Sequence, residues 1–194
     1  MRYAQIRSID ISNGEGVGVS LFVQGCDKKP HCKNCFNPET WDFNGGKEWT
    51  EETKNKFLEL IDRPYIKRVS ILGGEPLAEQ NLNDVLSLVQ EIRISFPEKT
   101  IWLYTGYCVT MSTHKYKDDN GNLQTEHLLC TEDQDTILKN LKRSFILSSV
   151  DVIVDGEYID EQRDITLKWR GSSNQRVIDI KRSLAQNKMV LYCN

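Results

Sequence analysis

"KRVSILGGEPLAEQNLNDVLSLVQEIRISFPEKTIWLYTG", residues 67–106, runs through a strand, a helix and a second strand in succession. Lys67 to Leu72 is a short apolar strand of the buried type, and it stops at Gly73. From Leu82 to Phe96, residues Leu82, Val85, Leu86, Val89, Ile92 and Phe96 recur at helical spacing on one face, with Pro97 as the stop. Thr100 to Gly106 returns to a strand. Strands joined through an amphipathic helix pair in parallel with a right-handed crossover, so the fold class is α/β.

The same alternation extends outward in both directions. "VGVSLFVQG" (Val17 to Gly25) reads as a β-branched and aromatic strand ending directly at Cys26. Thr50 caps a helix with early acids, Glu51 and Glu52, that runs to about Ile61 before Pro64. Asp135 to Phe145 predicts another helix and Val150 to Gly156 a fourth strand. The architecture is therefore an α/β barrel or an open sheet, in which ligands gather beyond the carboxyl ends of the strands. Cys26, Gly73 and Asp155 all fall just past such ends. "NGEGVG" (Asn13 to Gly18) precedes a strand instead of opening a helix, so it reads as a tight turn and not as a dinucleotide loop. Residues Met111 to Gln134 are polar, with a turn signal at Asn120-Gly121, and predict a hairpin or surface insertion whose His114 and His127 are solvated. With no repeat, low-complexity tract or proline-rich linker, the chain reads as a single domain over residues 1–194, with that insertion at about 111–134.

A chain of 194 residues can bury a core of its own. Its net charge of −3 leaves no broad cationic field for nucleic acid or an anionic membrane, so a partner is recognised by a local site. "MRYAQIRSID" lacks the apolar core of a signal peptide and no apolar run reaches membrane-spanning length, which predicts a cytoplasmic protein. In a reducing compartment a tight cysteine cluster points to metal binding or catalysis before disulfides. Of the six cysteines, Cys26, Cys32 and Cys35 are clustered, whereas Cys108, Cys130 and Cys193 are scattered and read as incidental thiols.

Three thiols in one loop admit two occupants. A structural zinc needs four ligands, and His31 sits too close to Cys32 in the chain to serve the same ion without strain. A four-iron cluster on three thiolates leaves one iron open for chemistry. No cysteine has a histidine that the sequence can place beside it, which argues against a thiol hydrolase. "ILGGEPL" (Ile71 to Leu77) puts two glycines and a carboxylate at a strand end, where a ligand can approach the backbone and Glu75 can accept from an ammonium group. A plain tight turn explains the same residues.

Together, Cys-x5-Cys-x2-Cys and the downstream Gly-Gly-Glu-Pro resemble the radical S-adenosylmethionine superfamily. "FVQGC", "CFNPETWDFNGG", "LYTGY", "VDVIVDGEY" and "WRGSSNQRVID" resemble one branch, the activating enzymes of anaerobic (class III) ribonucleotide reductase, over nearly the whole chain. The resemblance implies an open, partial parallel β/α barrel. It implies a [4Fe-4S] cluster on Cys26, Cys32 and Cys35. It also implies S-adenosylmethionine at Asn34, Cys35, Phe36, Gly73, Gly74, Glu75, Tyr104, Thr105 and Gly106, with Asp155, Gly156, Asn174 and Arg176 as further candidates that turn and capping roles explain equally well. The implied activity is cleavage of that cofactor to a 5'-deoxyadenosyl radical, which takes hydrogen from a glycine of the large reductase subunit. A one-electron donor such as flavodoxin or ferredoxin is implied as well. The spacing departs from the superfamily's usual Cys-x3-Cys-x2-Cys by two residues, a change that costs little loop entropy. Other readings are a radical enzyme acting on a different glycyl-radical protein or on a deazapurine-type small molecule, and a non-catalytic zinc or thiol module.

Overall fold

A computed structural model describes residues 1–132 and 137–193. Ten strands and four α-helices are described: β1 (Arg2–Asp10), β2 (Gly18–Val23), β3 (Lys47–Glu48), α1 (Glu51–Ile61), β4 (Arg68–Gly73), α2 (Leu82–Ser95), β5 (Thr100–Tyr104), β6 (Val109–Lys117), β7 (Leu123–Thr131), α3 (Ile137–Ser149), β8 (Val152–Asp155), β9 (Arg176–Asp179), α4 (Ile180–Gln186) and β10 (Leu191–Cys193). Eight of them form one open mixed sheet in the order β10-β9-β8-β5-β4-β2-β1-β3, and β6 pairs with β7 in a separate ribbon.

The four strands legible in the sequence form the parallel centre, in the registers Leu21↔Ile71, Ile71↔Leu103 and Leu103↔Ile153. Antiparallel strands extend it on both sides, β1 and β3 beyond β2, and β9 and β10 beyond β8. These four strands carry no strong local signal. β1 mixes exposed with half-buried positions, and the others are only two to four residues long.

Alternation along each central strand sorts its side chains to opposite faces. Val19, Leu21, Val23, Val69, Ile71, Ile101, Leu103, Ile153 and Ile178 point to one side and pack against all four helices, through Phe57 and Ile61 of α1, Leu82 to Ile92 of α2, Ile146 and Leu147 of α3 and Ile180 of α4. The other side carries a smaller cluster of Trp102, Val152, Val154 and Val177, closed by Trp169 and Tyr192. On that face Arg68 is fully buried, bonded to the Asp10 carbonyl at 2.8 Å and paired with the Asp10 carboxylate at 3.4 Å.

Local predictions and structure differ at a few points. Thr50 caps α1, its hydroxyl accepting from Thr53 N at 3.2 Å. The buried face of α2 is Leu82, Val85, Leu88, Val89 and Ile92; Leu86 and Phe96, expected there, are only partly buried because the stripe is centred one position further round. The polar insertion is a ribbon that begins earlier, at Val109, and turns through Asn120-Gly121. His114 is exposed and His127 half-buried, the latter 3.2 Å from Thr113 Oγ1. Residues 133–134 of the insertion and 135–136 of the predicted helix lie outside the described residues. No described helix is long and apolar enough to cross a membrane.

Candidate functional site

Because β2, β4, β5 and β8 run parallel, the segments that follow them converge at one end of the sheet. Backbone bonds lock the first two together: Gly74 N donates to Val23 O at 2.9 Å, Glu75 N to Gly25 O at 2.7 Å, Gly25 N to Thr40 O at 2.8 Å and Cys26 N to Trp41 O at 3.1 Å. A Cβ on Gly74 would stand 2.2 Å from Gly25 O, so the close approach of these segments requires glycine there.

The thiol loop is built against that platform. His31 stacks on Trp41 with centroids 4.3 Å apart, and Asp27 accepts from the Tyr107 hydroxyl at 2.9 Å. Cys35 N donates to Cys32 O at 3.3 Å, closing the turn between the last two thiols. Asn34, at φ 55°, donates from Nδ2 to Asp160 at 2.8 Å, and Lys33 pairs with Glu161 at 2.8 Å. The five residues between Cys26 and Cys32 are thus anchored at both ends.

A cavity of about 570 Å³, within the range of small-molecule sites, is lined by Cys26, Cys32 and Cys35 together with Phe36, Gly73, Gly74, Glu75, Tyr104, Thr105 and Gly106. Of the nine residues first singled out for the cofactor, only Asn34 lies outside its wall, its side chain being engaged with Asp160; of the further candidates, Gly156 lines it and Asp155, Asn174 and Arg176 do not. Phe36 is 59% exposed at the rim and packs on Tyr158 at 4.7 Å. All six cysteines are free; Cys108 is exposed, and Cys130 and Cys193 are half-buried. Among the described residues, no three His, Cys, Asp or Glu side chains close around a single-ion position. Burial pushes the Cys26 thiol up to about 11 and Cys32 upward, so thiolates here call for a cationic partner. A wider, thiolate-bound iron-sulfur group fits this donor set.

Glu75 is 1% exposed. Its Oε1 accepts from Leu77 N at 2.9 Å and Thr105 Oγ1 at 2.8 Å, and its Oε2 from Gly106 N at 2.7 Å. Burial nevertheless outweighs these three donors and raises the carboxyl to about 7. A cationic group reaching Oε2 from the cavity would relieve that cost. Tyr104 also lines the cavity, and its hydroxyl is buried without a hydrogen-bond partner.

The further candidates play structural parts. Asp155 pairs with Arg176 and accepts from Val109 N at 2.8 Å, tying β8 to β9 and to the ribbon. Asn174 Nδ2 donates to Glu157 O at 2.9 Å. Gly156 lines the cavity, and its carbonyl accepts from Gln175 Nε2 at 2.9 Å. The Gln175 side-chain oxygen in turn holds Gly171 N at 2.8 Å and Ser172 N at 3.2 Å, which explains the compact Gly-Ser-Ser-Asn-Gln stretch. Wall residues that went unassigned from sequence include Lys28, Tyr158, Trp169 and Arg170. Three of them sit in stretches already notable as wholes, and Lys28 carries no local signal.

The family model described as a 4Fe-4S single cluster domain matches residues 12–178. Similar proteins include the anaerobic ribonucleoside-triphosphate reductase-activating protein of Vibrio cholerae serotype O1, 37% identical over 90% of this chain and 96% of that one. The proteins of that name from Escherichia coli K12 and Enterobacteria phage T4 are both 34% identical over 91% of this chain, and over 97% and 93% of their own lengths.

Proposed function

The chain belongs to the family of anaerobic ribonucleoside-triphosphate reductase-activating proteins, and from that premise we propose how its cavity carries out the activation. The protein is a glycyl-radical activating enzyme with a [4Fe-4S] cluster. The observation that carries the site assignment is that three thiols from one loop share a cavity wall with Gly73, Gly74 and Glu75.

Cys26, Cys32 and Cys35 hold the cluster. Gly73 and Gly74 let the cofactor approach backbone, and Glu75 receives the methionyl ammonium of S-adenosylmethionine, the pairing its buried carboxylate lacks within the protein. Tyr104, Thr105 and Gly106 complete that wall, and Phe36 offers an apolar face to the adenine with the backbone of Asn34 and Cys35 beside it. When bound, the cluster and S-adenosylmethionine supply a 5'-deoxyadenosyl radical that removes hydrogen from a glycine of the large reductase subunit. The residues around them orient the cofactor and exclude water.

With all four helices on one face and the cavity on the other, the sheet reads as the open, partial β/α barrel of the radical S-adenosylmethionine type, and residues 1–194 as one domain. A one-electron donor such as flavodoxin or ferredoxin would serve the site in the cytoplasm, with no part for nucleic acid or membrane.

The test is anaerobic reconstitution followed by measurement of 5'-deoxyadenosine and of the reductase's glycyl radical by electron paramagnetic resonance. Wild type gives both, and Cys32→Ala gives neither. Cofactor cleavage without a radical on the reductase would overturn the substrate assignment, and no cleavage by the iron- and sulfide-loaded wild type would overturn the site assignment.

A further inference from the structure

Between Cys26 and Cys32 the chain reaches outside its own loop by few contacts. Among the described residues, Asp27 accepts from the Tyr107 hydroxyl at 2.9 Å, the Lys28 ammonium lies 4.7 Å from the centre of the same ring, and His31 stacks on Trp41. Two of these three contacts converge on Tyr107. That residue is buried, and its hydroxyl accepts from Arg143 Nη2 at 3.3 Å while the guanidinium covers its ring at 4.5 Å.

Arg143 is itself pinned. Its Nε donates to Leu77 O at 3.0 Å, just after the Gly-Gly-Glu-Pro turn, and its Nη1 to Thr131 Oγ1 at 3.4 Å on the ribbon. Tyr107 also belongs to the turn that holds Glu75. Its backbone N–H donates to Thr105 Oγ1 at 3.1 Å, the same hydroxyl that donates to Glu75 Oε1 at 2.8 Å.

We propose that Tyr107, backed by Arg143, is a positioning residue whose hydroxyl fixes Asp27 and thereby the place of the thiol loop relative to Glu75. The five-residue spacing gives this contact its use. A longer loop has more conformations to lose, and a hydrogen bond onto a carboxylate beside the first thiol removes many of them. Because Arg143 spans α3, the ribbon and the segment after Glu75, the loop is referenced to the body of the protein and not only to its own turn.

The inference rests on the reading of Cys26 as a cluster ligand for its functional meaning, but its physical content is separable. Amide hydrogen exchange is measured on the full chain, before and after cluster reconstitution, for wild type, Tyr107→Phe, Asp27→Ala and Asp27→Asn. Tyr107→Phe keeps the ring and its cationic neighbours and loses only the hydroxyl. Exchange across residues 26–35 should quicken about tenfold in Tyr107→Phe and Asp27→Ala while the central strands stay as protected as before. Asp27→Asn retains an acceptor and should restore the slow exchange. In the loaded enzyme the two disrupting variants should raise KM for S-adenosylmethionine several-fold, with Asp27→Asn nearer wild type.

Unchanged loop exchange in both disrupting variants overturns the proposal. So does faster exchange spread evenly through the sheet, which marks a general packing role. A wild-type enzyme that cleaves no cofactor sinks the functional reading while leaving the exchange result to judge the positioning on its own.

Discussion

Glu75→Gln should flatten the pH dependence of stability between about 4.5 and 7. The folded carboxyl is raised by burial from an ordinary 4.5 to about 7, despite hydrogen bonds from Leu77 N, Gly106 N and the Thr105 hydroxyl. A folded pKa above the unfolded one means that within this window the folded chain keeps a proton that the unfolded chain releases. The stabilisation is therefore complete below about 4.5 and is lost as pH rises to about 7. At about 1.36 kcal/mol per pH unit, that gap amounts to about 3 kcal/mol. Urea unfolding of the cluster-free chain at several pH values from 5 to 8 measures it. The wild type should lose on the order of 2 kcal/mol across this range relative to Glu75→Gln, whose amide does not titrate. Parallel pH profiles for the two proteins would refute the argument, and with it the claim that this carboxylate waits for a cationic partner. Saturating S-adenosylmethionine on the loaded enzyme should remove the slope contributed by Glu75, because an ammonium beside Oε2 favours the ionised form.

At the acid end the sign is opposite. Asp10, buried yet accepting from the backbone N–H groups of Ser12 and Asn13 and from the Asn13 side chain, is lowered from 3.8 to about 2, so its stabilisation is lost as pH falls through that range. Asp10→Asn should remove about 2 kcal/mol of acid sensitivity, read from unfolding between pH 4 and 2. Gly74→Ala forces a methyl to within 2.2 Å of Gly25 O and should cost about 1–3 kcal/mol, lowering Tm by on the order of 5 °C; an unshifted Tm would mean that the two segments are not locked together. Asp155→Ala leaves Val109 N without its acceptor and the half-exposed Arg176 without its carboxylate. It should lower the urea midpoint by the equivalent of about 2 kcal/mol at unchanged m-value, with cofactor cleavage retained by the folded protein.

Much of this protein is local enough to be read in one dimension. The four central strands and the helices after them announce themselves by period, as Ile101, Leu103 and the alternating Trp102 do on β5, because burial on two faces imposes the pattern directly on the residues. The thiol spacing and the Gly-Gly-Glu-Pro turn are equally local, since ligands that share one loop or one turn must be close in sequence. The edge strands were not legible: β3, β9 and β10 are too short for a pattern, and β1 is only partly buried. Their place follows from which neighbour offers unpaired backbone groups, a property of the assembled sheet. Chain folding alone also decides that Lys28, Trp169 and Arg170 share a wall with the thiols, and that Asn34 turns away to Asp160. The same holds for the raised carboxyl of Glu75 and for the link from Arg143 through Tyr107 to Asp27. Desolvation and long-range hydrogen bonds join residues dozens of positions apart, and no spacing along the chain encodes them. The fold class and the thiol donors are written locally along the chain, whereas their surroundings arise only on packing, because burial and field belong to the packed molecule.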